Sequence, residues 1–196
     1  YRKDDDVARS YWQTMEIAVR ELLIEKGHMT ADQIQAQIDQ MDARSPTNGA
    51  QVIAKAWCDP DFKTALLKDA SQATRDMGFD IGPMHLVAVE NTSDVHNVVV
   101  CTLCSCYPRN LLGLPPDWYK SRAYRSRTVI EPRKVLAEFG LTLSNDVNVR
   151  VHDSTADMRY LVIPMQPVET HGFDETSLAQ YVTRDSMIGV GVARKP

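Results

Sequence analysis

Apolar positions recur with a helical period through the first quarter of the chain. Val7, Tyr11, Met15, Ala18 and Leu22 return every three or four residues. That spacing predicts an amphipathic helix, with Gly27 as its stop. Thr30 followed by Gln33 has the form of a capping box ahead of Ile34, Ile38 and Met41, which predicts a second helix. An arm of this kind must lay its apolar stripe on something, either its own domain or a partner subunit. Ser45-Pro46-Thr47-Asn48-Gly49 then reads as a polar turn. Helices are expected over Ala50–Cys58 and Pro60–Met77, the second with Pro60 in its first turn.

The period changes after Gly78. Leu86–Val89 and Val95–Val100 are short and β-branched, so they predict strands. Asn148–His152 and Arg159–Ile163 predict two strands of one sheet, joined by the polar connection Asp153–Asp157. Leu112-Gly113-Leu114-Pro115-Pro116 predicts an irregular loop, with Asp117 capping a short helix through Trp118 and Tyr119. Further helices are expected over Val129–Phe139 and Glu175–Thr183. The order points to an α+β fold, a helical N-terminal arm over residues 1–45 and a main domain over residues 46–196.

Composition narrows the function. At 196 residues the chain can build a core without disulfide staples. A formal net charge of −4 argues against a dedicated nucleic-acid surface. No apolar run approaches the ~20 residues of a membrane span, and no signal-peptide pattern is visible, so the expected compartment is the cytoplasm. There, clustered cysteines read as a metal or redox site rather than as disulfides.

Three of the four cysteines, Cys101, Cys104 and Cys106, fall inside six positions directly after a run of valines. Thiolates are the ligand form of cysteine and favour transition metals. With both sulfurs of Cys104-Ser105-Cys106 bound, the amide nitrogens of Ser105 and Cys106 are drawn to the same ion in five- and six-membered rings. Cys101 then lies below that square, and one position stays open above it. Deprotonated amides suit a trivalent, acidic ion. Zinc fits poorly, because a structural zinc site needs four closed ligands and a second cysteine pair is missing. An iron–sulfur cluster would have to recruit Cys58, distant in sequence. A Cys101–Cys104 redox dithiol is an alternative, although no thioredoxin-like context surrounds it. The histidines at 28, 85, 96, 152 and 171 lack ligand spacing and read as surface or hydrogen-bonded residues. Cys58 reads as an ordinary thiol.

Val98–Cys106 followed by Leu112–Lys120 closely resembles the α subunit of nitrile hydratase. The similarity continues through Tyr124–Arg127, Glu131–Arg133, Val151–Tyr160 and Val182–Val190, with Asn48-Gly49-Ala50 and Ala56-Trp57 upstream. The resemblance implies a layered α-β-β-α metal-binding domain and a heterodimer with a β subunit, assembled further, for instance to a heterotetramer. It also implies a possible metal-insertion activator. The metal is non-corrin cobalt or non-haem iron. Thr102 and Tyr107 within Cys-Thr-Leu-Cys-Ser-Cys-Tyr look like the cobalt group, hence Co(III) rather than Fe(III). Carried onto matching positions, Cys101 is the unmodified axial thiolate, Cys104 a sulfinate and Cys106 a sulfenate. Ser105 orients the claw, and β-subunit arginines pair with the sulfur oxygens. Arg159 is expected to support the site region, the alternative being a surface ion pair.

One departure bears on substrate. Where nitrile hydratases generally carry tryptophan after Tyr-Pro, this chain has Arg109 and Asn110. Arginine at this place resembles the γ subunit of thiocyanate hydrolase, and a guanidinium suits an anionic substrate. A glutamine common upstream of the claw also lacks a counterpart near Ile81-Gly82-Pro83-Met84. The expected activity is hydration of a nitrile to an amide, with Cys106, Ser105, Arg109 and Arg159 in the catalytic region. The alternatives are hydrolysis of thiocyanate to carbonyl sulfide and ammonia, and a metal-binding or regulatory protein without catalysis.

Overall fold

The structure, a computed structural model, describes residues 10–195 and divides between Ala43 and Arg44 into two units. The first holds α1 (Tyr11–Glu25) and α2 (Ala31–Asp42). Both start at capping boxes: Ser10 with Gln13, and Thr30 with Gln33, where each side-chain oxygen accepts from a backbone amide otherwise left without a partner. Val7, the first residue of the expected stripe, lies outside the described residues. Neither helix has a buried residue, and Trp12 is 76% exposed. Met15, Val19 and Leu23 of α1 face Met29 and Ile34 across an open apolar groove of about 460 Å³.

The second unit begins with α3 (Pro46–Cys58), four residues before the expected start. Ser45–Gly49 is therefore not a turn: Pro46 occupies the first helical position, where its missing N–H is not needed. Gly49 is there for space. A Cβ at this position would lie 2.2 Å from Leu112 Cδ2 and 2.7 Å from Met187 Sδ.

The expected helix over 60–77 is two, α4 (Pro60–Lys68) and α5 (Ala70–Asp76). Asp69 separates them, accepting a 3.0 Å bond from the Gln72 amide. Next come β1 (His85–Glu90), β2 (Val95–Val100), α6 (Arg109–Leu112) and α7 (Asp117–Lys120), in which Asp117 lies in the first turn rather than at the cap. The expected helix over 129–139 is split by Pro132, which cannot continue a helix, into α8 (Arg122–Ile130) and α9 (Pro132–Glu138). After β3 (Asn148–Asp153) and β4 (Met158–Ile163), Thr183 opens a capping box that starts α11 (Arg184–Ile188), separate from α10 (Glu175–Ala179).

The four strands lie where expected, but β3 and β4 do not pair with each other. β2 pairs in parallel with β3, and β1 in parallel with β4. Each short connection, Asn91–Asp94 or Ser154–Asp157, thus carries the chain from one pair to the other. β2 is buried from His96 to Val100, as a strand covered on both faces must be. Helices α4 and α5 pack on β1 and α11 on β4, while α8 lies on β2 and α9 on β3. The layers are α-β-β-α, in an α+β fold. Val52, Ile53, Val98, Val99, Leu161 and Val162 are fully buried between them.

A polar knot ties β1, β2, β3 and α11 together. His96, 5% exposed, donates from Nε2 to the Gly189 carbonyl (2.7 Å), so Nδ1 accepts from Asn91 Nδ2 (3.3 Å). Asn91 Oδ1 accepts from the Asn97 amide (2.7 Å) and from its side chain (3.0 Å). Asn97 Oδ1 in turn accepts from His152 Nε2 (2.8 Å). Gly189 caps α11 at φ 86°, with its Cβ direction 1.9 Å from the Asn97 carbonyl, so only glycine fits.

Burial holds the His96 imidazole below its ordinary pKa. Burial, with Arg150 adding to it, does the same for His152. The unfolded chain therefore binds more protons as pH drops through about 6.5, and stability present above that value is lost below it. The thermal midpoint should be lower at about pH 5 than at about pH 7.5. His96→Gln should lower the neutral-pH stability by roughly 1–3 kcal/mol and flatten the pH dependence. An undiminished acid slope in His96→Gln would assign the loss to other groups.

Candidate metal centre

β2 delivers Cys101 at its end, already buried, and the chain then makes a tight loop before α6. Within it Cys104 Sγ lies 3.5 Å from Cys101 Sγ and 3.1 Å from Cys106 Sγ, and all three sulfurs fall within 4.8 Å of one another. Metal–sulfur bonds of about 2.3 Å put neighbouring ligand sulfurs roughly 3.3–3.8 Å apart, so this donor set fits one transition-metal ion with little movement. Among the described residues it is the one such cluster of potential ligands. The cysteines are free thiols.

The loop is held from several sides. The Cys104 amide donates to Cys101 Sγ (3.3 Å). Tyr119, fully buried, donates its hydroxyl to the Cys106 carbonyl (2.7 Å), and Tyr124 donates to the Val99 carbonyl (2.6 Å). These two rings stand in an edge-to-face cluster with Tyr107, Trp118 and Phe139. Asp153, at the end of β3, and Arg125, on α8, hold the backbone around Thr102.

The sulfurs differ electrostatically. A hydrogen bond from Cys106, aided by Cys101 and by the amides of Ser105 and Cys106, holds the exposed Cys104 thiol down at about 7. Burial, with the bond to Cys104, pushes Cys106 up to about 12, against the pull of the Arg159 charge. Of the pair, Cys104 is the thiol that ionises first and Cys106 the one that keeps its proton.

Cys104, Ser105 and Cys106 line a cleft of about 530 Å³, together with Arg44, Arg109 and Arg159. Pro83, Met84, Tyr107, Asn110 and Pro115 complete the wall, and none of its lining residues is acidic. Arg44 donates to Asn110 Oδ1 (3.0 Å), with Asp80 4.0 Å away. Arg159 sits at the start of β4 and donates through Nη1 to the carbonyls of Thr155, Ala156 and Met158. Its Nε is buried without a partner among the described residues. Among the described residues it forms no ion pair.

The residues expected from sequence, Cys101, Cys104, Ser105, Cys106, Arg109 and Arg159, therefore meet around this loop and cleft. Sequence reasoning missed Arg44, Tyr119, Arg125 and Asp153 as contributors. Tyr119 lies in a motif already noticed, whereas Asp153 depends on a strand pairing that no local pattern reveals. Of the histidines, none joins the cluster. Cys58 stands apart near Phe173, its thiol raised by burial and then by Glu175 and Asp174. Among the described residues no helix is long and apolar enough to cross a membrane.

A family profile described as nitrile hydratase, alpha chain, matches residues 10–191. The low-molecular weight cobalt-containing nitrile hydratase subunit alpha of Rhodococcus rhodochrous is 50% identical, over 91% of this chain and 87% of its own length. The thiocyanate hydrolase subunit gamma of Thiobacillus thioparus is 42% identical, over 94% of this chain and 81% of its own. Among solved structures, a recombinant thiocyanate hydrolase with partially modified cobalt centres superposes with a TM-score of 0.90 at 41% identity, covering 95% of this chain and 92% of that one. An Fe-type nitrile hydratase double mutant from Comamonas testosteroni does so with a TM-score of 0.90 at 38% identity, over 97% and 94%.

The split between the sulfurs predicts an order of reaction. With metal removed and the thiols reduced, iodoacetamide at about pH 7 should alkylate Cys104 first, ahead of exposed Cys58 and well ahead of buried Cys101 and Cys106. Peptide mass spectrometry over a time course reads the order, and Cys58 reacting first would contradict it.

Proposed function

The chain belongs to the nitrile hydratase α-chain family, and from that premise we propose that it is the metal-holding subunit of a cobalt-type nitrile hydratase. The observation that carries this reading is the convergence of three cysteine sulfurs, with Cys104 and Cys106 lining an open cleft and Cys101 buried behind them. Cys101, Cys104 and Cys106 would hold the ion through sulfur, and Ser105 and Cys106 would add their amide nitrogens. Thr102 and Tyr107 favour cobalt over iron. A trivalent metal bound there would supply the Lewis acidity that hydration of a nitrile to its amide calls for.

The chain's own residues do the rest. Cys104 would be carried as a sulfinate and Cys106, which lines the cleft, as a sulfenate able to serve as base or nucleophile. The Ser105 hydroxyl orients the claw. Arg159 supplies positive charge beside Cys106, and its unpartnered Nε is available to an oxygen acceptor there. A β subunit completes the site with further arginines and covers the apolar stripe of the arm over residues 1–45. The subunits form a heterodimer, assembled further, in the cytoplasm.

A second reading, the γ subunit of a thiocyanate hydrolase, is favoured by the cleft itself. Arg44, Arg109 and Arg159 line it with no carboxylate among them, an arrangement that attracts a small anion.

Substrate turnover separates the two. The cobalt-loaded complex, purified with its partner subunit, should convert a small aliphatic nitrile to its amide with negligible use of thiocyanate. Carbonyl sulfide and ammonia from thiocyanate, with little amide, would make the second reading correct. Arg109→Trp should lower kcat/KM for thiocyanate relative to the nitrile by roughly tenfold or more, the loss of a charge-assisted hydrogen bond. An unchanged ratio would remove Arg109 from substrate selection.

A further inference from the structure

The amide, hydroxyl and carbonyl of Thr102 are all engaged by two side chains from different elements. Parallel pairing puts Val100 opposite Asp153, and the Ser154 amide donates to the Val100 carbonyl (2.7 Å), so β2 and β3 run out together. One residue beyond Val100 the ladder is over, and the next backbone groups need other partners. The Asp153 carboxylate is one of them, and it takes the Thr102 side chain as well. Its Oδ1 accepts from the Thr102 amide (2.9 Å) and its Oδ2 from the Thr102 hydroxyl (2.5 Å). On the carbonyl side Arg125 of α8 donates from Nε to Cys101 (3.0 Å) and from Nη2 to Thr102 (2.8 Å).

Each partner suits its task. A carboxylate offers two acceptors at fixed spacing, which an N–H and an O–H of one residue can both reach. A guanidinium offers a planar fork that spans two successive carbonyls, whereas an ammonium is a point charge on a flexible stem. Between them the peptide joining Cys101 to Thr102 is fixed, while Leu103, the next residue, is 81% exposed and carries none of this load. Fixing that peptide fixes the direction in which the Cys101 sulfur meets the Cys104 amide.

We propose that Asp153 and Arg125 are positioning residues of the claw. They hold Cys101-Thr102 in its ligating conformation before metal arrives, so that the three sulfurs are assembled in advance. The inference rests on the reading that the claw binds metal. A ligand loop ordered beforehand loses less conformational freedom on binding, and partners of this outer kind typically contribute about 10–100-fold in metal affinity.

The test uses the complex purified with its partner subunit, stripped of metal, reduced, and titrated with cobalt(II) against a competing chelator. The thiolate-to-cobalt charge-transfer absorption and the cobalt content per chain are both read. Asp153→Asn and Arg125→Lys should each bind cobalt at least about tenfold more weakly and shift the absorption band. The melting temperature of their metal-free forms should change little. Thr102→Ser, which keeps the hydroxyl, should bind as the parent does, and Thr102→Val should follow Asp153→Asn.

Parent-like affinity and spectrum in both Asp153→Asn and Arg125→Lys would overturn the proposal. So would losses that merely track a lowered melting temperature, since those would mark a general structural role. Should a variant fail to fold, Thr102→Val against Thr102→Ser decides the same question without touching either clamp. A parent complex that takes up no cobalt overturns instead the reading that the claw binds metal, and the two failures are thereby distinguished.

Discussion

The site depends on one register: Val100 beside Asp153 in a parallel strand pair. Strands that end together at a sheet edge leave backbone groups without ladder partners, and open α/β sheets commonly place ligands there. Here the same strand end supplies a buried thiol from β2 and a carboxylate from β3. Because short connections pass each chain segment to the other strand pair, the start of β4 with Arg159 comes to the same place as the end of β2. Two strand pairs, each simple alone, thus bring residues 50 or more positions apart into one cleft.

How much of this was legible in the sequence follows from how local each determinant is. The claw is six residues long, so its spacing alone constrains what three sulfurs can do. The arm helices announce themselves through Thr30 and Gln33, a contact three residues apart. Asp153 reads locally as a polar linker residue, because its role depends on β3 lying beside β2 rather than β4. Arg125 is equally opaque: it is one of three arginines in a six-residue stretch, Arg122–Arg127, and only the packing of α8 on β2 selects it. The helix breaks at Asp69 and Pro132 were misread for a different reason. Apolar periodicity continues across both, and a side-chain cap at Asp69 and a proline at 132 decide between one helix and two.

Charge sets the character of the cleft more than shape does. An apolar wall would accept neutral nitriles of many forms, but three guanidiniums over a floor of sulfur make the entrance a field as well as a space. That field acts on the claw too. Arg159 draws the Cys106 thiol toward ionisation while burial opposes it, so burial and charge contend over the same sulfur. The oxidised sulfur oxygens proposed for the working enzyme would sit in a site already biased to receive negative charge.

Gly49 carries a consequence for how such a sequence can drift. Its missing side chain is filled by Leu112, from the helix that follows the claw, and by Met187, from the last helix. Any side chain larger than hydrogen at 49 demands that the residues at both 112 and 187 shift or shrink. The three positions, 63 and 138 residues from the first to the others along the chain, should therefore change as a set or remain frozen. The metal loop inherits that constraint, because the segment that anchors it to the core is the one whose volume is already spoken for.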